Sequence, residues 1–337
     1  MSNLRTKAQL LALDNLIWVL IILLFVVNAF VVPKFFTYNN ILNIFYHVSA
    51  LGVLILAQGF VLLVGQLDLS IESVMAFAPG MAILVSRAFF PEMDPFLQIL
   101  LTLGIGAAVG FFNGSLITLL KMNSLLETLA ANIILRGFVL LLLPFSIMNL
   151  KPWYIYWGSA RIGWNIPVAI LVMIGLFALF SILLSQFRFG RFLIATGGNP
   201  KASNIAGVNV GKMSIMAYMI AGLLAAVAGL LAAGRQSSIS NTLGNGFGIM
   251  SIAGAILGGV SLSGGRGTVF GMLGGALLLS LFDNFLNLLA VNVYWVSIIK
   301  GSLILFAIVL DSVKVRARNF ILNYERLRKM RGSIYSS

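Results

Sequence analysis

The sequence predicts an all-α polytopic membrane protein of about ten transmembrane helices, on three observations. Hydrophobic residues make up 60% of the 337 and charged residues only 9%, whereas a soluble domain is about one quarter charged. The mean hydropathy is +1.03. Runs of about 20 apolar residues, the length a helix needs to cross a bilayer, recur from end to end. No stretch reads as a soluble domain, so residues 1–337 are taken as one transmembrane unit. With no Cys, disulfides, thiolate metal sites and cysteine nucleophiles are excluded. A single His leaves little from which to build a metal site or a His–acid–Ser catalytic set. Neither an enzyme nor a cofactor is expected.

The first segment, 16–33, is long enough to span and lacks a small-residue cleavage site, so a retained helix is expected there. Further helices are expected over 41–64, 71–90, 97–120, 125–147, 166–186, 214–234, 248–262, 268–290 and 294–312. Segments 41–64 and 248–262 run into Gly-rich sequence that fits a broken or re-entrant helix. Positive charge orients the chain, because loops rich in Lys and Arg stay in the cytoplasm. With the N-terminal 1–15 inside, the inside positions hold Arg5, Lys7, Lys121, Arg188, Arg191, Lys201, Lys212 and Arg266. The basic tail 313–337 adds Lys314, Arg316, Arg318, Arg326, Arg328, Lys329 and Arg331. Outside loops hold only Lys34, Lys151, Arg161 and Arg235. Both termini are therefore expected in the cytoplasm. The net charge of +13 is mostly this topology signal, and no soluble basic domain is left to bind nucleic acid. The outside loop NLKPWYIYWGSARIGWN (149–165) is rich in Trp and Tyr, which suits the lipid headgroup region.

Glycine spacing predicts how the helices pack. Gly106, Gly110 and Gly114 repeat every fourth residue, as do Gly267, Gly271 and Gly275. In lipid the hydrophobic drive between helices is weak, so close backbone approach has to replace it. The Met residues are scattered and read as gap-fillers.

The chain lacks a fuel-burning site. The nearest match to a phosphate-binding loop, Gly211–Lys212, is followed by Met213. Ionisable residues within the spans are few: Asp68, Glu72, Glu127, Arg136, Asp283, Lys300 and His47. An ion-coupled secondary transporter would need inverted repeats and charged midplane sites, and neither is evident. The pattern points to a passive route worked by another subunit. The polar stretch RFLIATGGNPKASNIAGVNVGKM (191–213) between two long apolar segments is the place where a partner would push.

Five ordered blocks carry a family resemblance: GQLDLSIES (65–73), FNGSLITLLKMNSLLETLAANIILRG (112–137), ATGGNPKASNIAGVNV (195–210), AGAILGGVSLSGGRGTVFG (253–271) and DNFLNLL…YWVSIIKGSLILFAIVLD (283–311). From about residue 38 onward the chain resembles the permease subunits of ribose-type ABC importers, a family that also includes branched-chain amino-acid permeases. The resemblance implies a multi-pass protein of the bacterial inner membrane. It also implies partners: ATP-binding cassette subunits, a periplasmic or extracellular binding protein, and a second permease subunit, identical or not. The implied cargo is a small polar solute, a monosaccharide or related polyol, with a nucleoside or branched-chain amino acid as alternatives.

The resemblance places a short coupling helix in the cytoplasmic loop 187–213, at Gly198, Asn199, Pro200, Ala202, Ala206 and Gly207. Local chemistry agrees: Asn199 suits an N-cap, Pro200 a first helical position and Gly207 a helix end. The resemblance also marks a signature strip at Gly258, Gly259, Ser261, Ser263, Gly264, Gly265, Arg266 and Gly267. Its glycines allow sharp turns and its serines can satisfy freed backbone groups. This strip reads either as an inner gate or as a tight turn beside a cytoplasmic cation.

Asp68, Glu72, Asn113, Glu127 and Arg136 are the candidate pathway residues. Asp68 can either cap the helix opening at Ser70 or face the route. Arg136 needs a partner, and Glu127, nine residues back, is too far along a regular helix. Lys300 can pair with Asp283 or pack between helices. His47 reads as an interior or interfacial residue and not as a ligand. The chain departs from the family's usual pattern at Gln66, Glu72, Glu127, Gly248 and Met250. Those departures mark either a different solute or a member that pairs with a second, non-identical permease.

Overall fold

A computed structural model describes residues 16–33, 35–309, 312, 313 and 316. The expectations for 1–15, for Lys34 and for nearly all of the basic tail lie outside the described residues. The elements are α1 (Leu16–Val31), α2 (Tyr38–Leu63), α3 (Ile71–Phe89), α4 (Pro95–Leu119), α5 (Ser124–Leu142), α6 (Pro152–Ser159), β1 (Arg161–Ile162), β2 (Ile166–Pro167), α7 (Val168–Gln186), α8 (Arg188–Gly198), α9 (Pro200–Ile205), α10 (Val210–Gln236), α11 (Phe247–Leu257), α12 (Val269–Leu288) and α13 (Val293–Val309). The protein is an all-α bundle. Seven helices are long and apolar enough to cross a membrane, and α1, α11 and α13 are shorter apolar helices.

Helices cover every expected segment, and the differences lie at their ends. Segment 41–64 is one unbroken helix that opens at Tyr38, where the Thr37 side chain accepts from the Asn40 amide. α5 stops at Leu142, short of the expected residue 147, because Pro144 disfavours helical backbone at Leu143. α11 stops at Leu257 instead of 262. Gly259 turns with φ +87° there, and the Val260 amide returns to the Ala255 carbonyl at 3.0 Å. Loop 187–213 contains the eleven-residue α8 as well as the expected short helix. Arg235, expected in an outside loop, sits in the last turn of α10.

α2 forms the axis of the bundle, with every residue from Leu51 to Leu63 buried. α10, α11, α12 and α7 pack around it, and α10 also packs on α3, α4 and α6. The first glycine repeat makes the α4–α10 seam. A Cβ on Gly106 would overlap the Gly222 carbonyl, and one on Gly110 the Tyr218 carbonyl. The second repeat serves α11–α12: Gly271 lies on the Gly258 carbonyl and Gly275 on that of Gly254. Gly267 is not on that helical face, because it precedes α12 with φ +151°. α6 brings Tyr154 inside, where its hydroxyl lies 2.9 Å from Thr102 Oγ1. Burial pushes that phenol well above its usual range.

Candidate functional site

At one end of the bundle, α9 projects as an isolated exposed corner. Asn199 Oδ1 accepts from the Ala202 amide at 3.0 Å, and Pro200 follows as the first helical residue. Gly207, at φ +84°, ends the helix by donating to the Asn204 carbonyl at 3.0 Å. The Ser203 hydroxyl donates to the Ala195 carbonyl at 2.8 Å, which fastens α9 to α8. Gly198, Asn199, Pro200, Ala202, Ala206 and Gly207 are all exposed. So is Ile205, at 88%, the apolar tip of the corner. Sequence reasoning missed Ile205, although an apolar residue in so polar a stretch was the available signal.

The signature strip lies directly against this corner. The Gly265 amide donates to the Leu63 carbonyl at the end of α2, at 2.9 Å. A Cβ on Gly197 would overlap the Leu63 carbonyl and Gly265 amide, and one on Gly264 would lie 2.7 Å from Gly65. Added at Gly265, it would collide with Gly198. Three chain segments thus meet backbone to backbone: the end of α2, the end of α8 and the strip. Within the strip, the Ser261 amide donates to the Arg266 carbonyl at 3.0 Å, and the Gly264 amide to the Ser261 carbonyl at 3.1 Å. Ser261 Oγ accepts from the Ser263 amide at 3.3 Å. Gly258 lies on the α12 seam, Gly259 makes the turn, and Arg266 is exposed.

The candidate pathway residues form two groups. In the first, Asp68 is 1% exposed, and its Oδ1 accepts from the Ser70 amide at 2.8 Å and the Ser70 hydroxyl at 2.6 Å. Asn113 donates to the same hydroxyl at 2.9 Å. The Tyr218 hydroxyl donates to the Leu67 carbonyl at 2.9 Å, and Thr128 Oγ1 accepts from the Leu69 amide at 3.1 Å. Glu127 is 5% exposed, and its Oε2 meets no hydrogen-bond partner among the described residues. Asn113 and Glu127 share a groove between α4 and α5 whose lining is apolar but for these two and Asn123.

The second group is Glu72 and Arg136. The guanidinium donates to the carbonyls of Asn241 at 2.9 Å, Leu243 at 3.2 Å and Glu72 at 3.4 Å. Glu72 Oε2 accepts from the Gly248 amide at 3.0 Å, in the first turn of α11. Arg136 is thus satisfied by backbone carbonyls, and together the two residues tie α3 and α5 to the segment 241–248.

At the end opposite α9 a cavity of about 1070 Å³ opens inside the bundle, between α2, α10, the 240–246 loop, α11, α12 and α13. None of the expected pathway residues lines it. Lys300 and Asp283 do, as an ion pair at 2.9 Å that joins α13 to α12. His47 Nε2 lies 2.6 Å from Arg235 Nη2, and the Arg235 guanidinium stands 4.8 Å from the centre of the Tyr46 ring. Asn284 donates to Asn40 Oδ1 at 2.8 Å. The remaining polar lining, including Asn43, Gln236, Asn245 and Asn287, went unnoticed in the sequence. Its signal was helical spacing of polar residues on apolar helices: Asn40, Asn43 and His47 on α2, and Asp283, Asn284 and Asn287 on α12.

Comparison with known proteins bears on what these features do. A family described as branched-chain amino acid transport system / permease component matches residues 40–308. The ribose import permease protein RbsC of Escherichia coli (strain K12) is 34% identical over 318 residues, 92% of this chain and 96% of the relative. The galactose/methyl galactoside import permease protein MglC of Salmonella typhimurium is 34% identical over 336 residues, 93% of this chain and 98% of the relative. The fructose import permease protein FrcC of Rhizobium meliloti is 32% identical over 301 residues, 87% and 83% respectively. No solved structure matches.

Proposed function

The chain belongs to the family of branched-chain amino acid transport system permease components, and from that premise we propose how it moves its solute. It is a membrane-spanning permease subunit of a ribose-type ABC importer, a multi-pass protein of the inner membrane. Its cargo is a monosaccharide or a related polyol, a reading supported by relatives named for ribose, galactose and fructose. It works beside ATP-binding subunits, a solute-binding protein and a second permease subunit, and hydrolyses no ATP itself.

In this reading ten helices cross the membrane with both termini in the cytosol, and α9 lies on the cytosolic face. Support comes from the cations around it, Lys121, Arg188, Arg191, Lys201, Lys212 and Arg266. The opposite end carries the aromatic α6, with Trp153 half exposed. The observation that carries the proposal is the backbone contact between Gly197–Gly198, Gly265 and Leu63. α9 is the coupling helix on which the ATP-binding subunit presses, with Ile205 as the apolar knob that docks. The strip is the gate element, and with no side chains between it and α8, displacement of α9 passes to it without slack. Asp68, Asn113 and Glu127 line the route near this gate, while Glu72 and Arg136 brace its other end.

The test is a reconstituted complex with its ATP-binding subunits and binding protein. Ile205→Asp and Gly207→Leu should each lower uptake at least tenfold. They should also abolish solute stimulation of ATP hydrolysis, while the permease still assembles in the membrane. Wild-type coupling in both variants would remove α9 from this role.

A further inference from the structure

We propose that the cavity opposite α9 is a binding site for a neutral polyhydroxylated solute, complete within one permease subunit. The inference rests on the sugar-import reading above and adds to it a place and a recognition chemistry. Neither the family nor the candidate pathway residues supplied that place, because the cavity shares none of its lining with them.

Three features of the lining argue for this ligand class. The first is its supply of free amides. Asn43, Gln236, Asn245 and Asn287 are exposed to the cavity and make no side-chain hydrogen bond among the described residues. Each offers a donor and an acceptor side by side, which matches the vicinal hydroxyls of a polyol. They stand on four separate pieces of chain, namely α2, the end of α10, the 240–246 loop and α12, so they converge on a ligand from several sides.

The second feature is a lining in which the only carboxylate is already paired. Asp283 and Lys300 neutralise one another at 2.9 Å, with about one third of each side chain exposed, so the pair can still accept from and donate to a hydroxyl. Arg235 is engaged by His47 and by the Tyr46 ring face. Arg235 is the one cation of the lining with no carboxylate partner among the described residues, so its guanidinium can donate to a solute hydroxyl and hydrogen bonding carries the recognition.

The third feature is the apolar part of the wall, where Phe247, Met75, Met250 and Leu51 provide surface for the C–H face of a sugar ring. At about 1070 Å³ the cavity is at or beyond the upper end of ordinary ligand pockets, roughly 300–1,000 Å³. A single small solute would therefore be held with water around it. Loose, water-bridged retention suits a chamber that must release its ligand onward.

The chain has no Cys, which allows a direct test. Asn43→Cys, Asn245→Cys and Asn287→Cys are made singly in the full transporter, and variants that still take up solute are kept. They are exposed in right-side-out vesicles to a membrane-impermeant maleimide without nucleotide. Ribose, galactose, fructose or galacturonate is present at millimolar concentration. Glu92→Cys, in the exposed turn between α3 and α4 at the same end, serves as the control. A sugar that the wild type imports should slow labelling at least threefold at two or more cavity positions and leave Glu92→Cys unaffected. Unchanged labelling with an imported sugar overturns the site but not the import reading. So does protection by galacturonate alone, or failure of all the cavity positions to label from outside. If the wild type imports none of the three neutral sugars, the import reading fails and the site falls with it.

Discussion

At the scale of the residue, Asp68 shows how a buried carboxylate organises its neighbours. Its Oδ1 accepts from the Ser70 amide and hydroxyl, and both residues are 1% exposed. Removing the acceptor leaves a buried amide unsatisfied, which costs about 1–3 kcal/mol. Asp68→Ala should therefore lower the melting temperature in detergent, while Asp68→Asn, which keeps an acceptor for Ser70, should lose less; equal losses would discard this account. Sequence alone left Asp68 as a cap or a pathway residue. The bonds from Ser70 are those of a cap, and the shared bond to Asn113 joins it to the second candidate.

At the scale of the element, the seams between helices are made by missing side chains. α4 meets α10 so closely that a Cβ on Gly110 would strike the Tyr218 carbonyl, whereas one on Gly104 in the same helix meets nothing within 4 Å. Gly110→Leu should therefore destabilise the protein by about 3 kcal/mol, the upper end for overpacking. Gly104→Leu should be neutral within about 0.5 kcal/mol. Thermal unfolding of both in one detergent checks the contrast, and equal losses would mean that α4 does not approach α10 at this point. The same close contact links α8 to the strip, so in the proposed mechanism the corner is rigid where it would transmit motion and exposed where it would receive it. The end of α5 at Pro144 and the end of α11 at Gly259 were local enough to be read from sequence, yet both helices were expected to run further. Their apolar character continues past the residues that stop them, at Phe145, Ile147, Val260 and Leu262, although of these only Ile147 and Val260 are buried.

At the scale of the whole molecule, the proposed importer has its transport against a gradient driven by separate ATP-binding subunits. Purified permease alone in liposomes should equilibrate solute at most, and accumulation against a gradient without the ATP-binding subunits would contradict the importer reading. The sequence by itself determined the class, the approximate limits of every apolar helix and the capped α9, because span length, caps and turn residues are properties of contiguous chain. It also held the glycine repeats, although their partners were not legible. Tertiary structure alone decided that Gly65, Gly197 and Gly264–Gly265 meet at one corner. It alone satisfied Arg136 with carbonyls more than a hundred residues away and gathered Asn43, Asn245, Asn287 and the Asp283–Lys300 pair around a cavity. The reason is the solvent: lipid is as apolar as a helix interface, so hydropathy records that a helix crosses the membrane but not which face meets its neighbours.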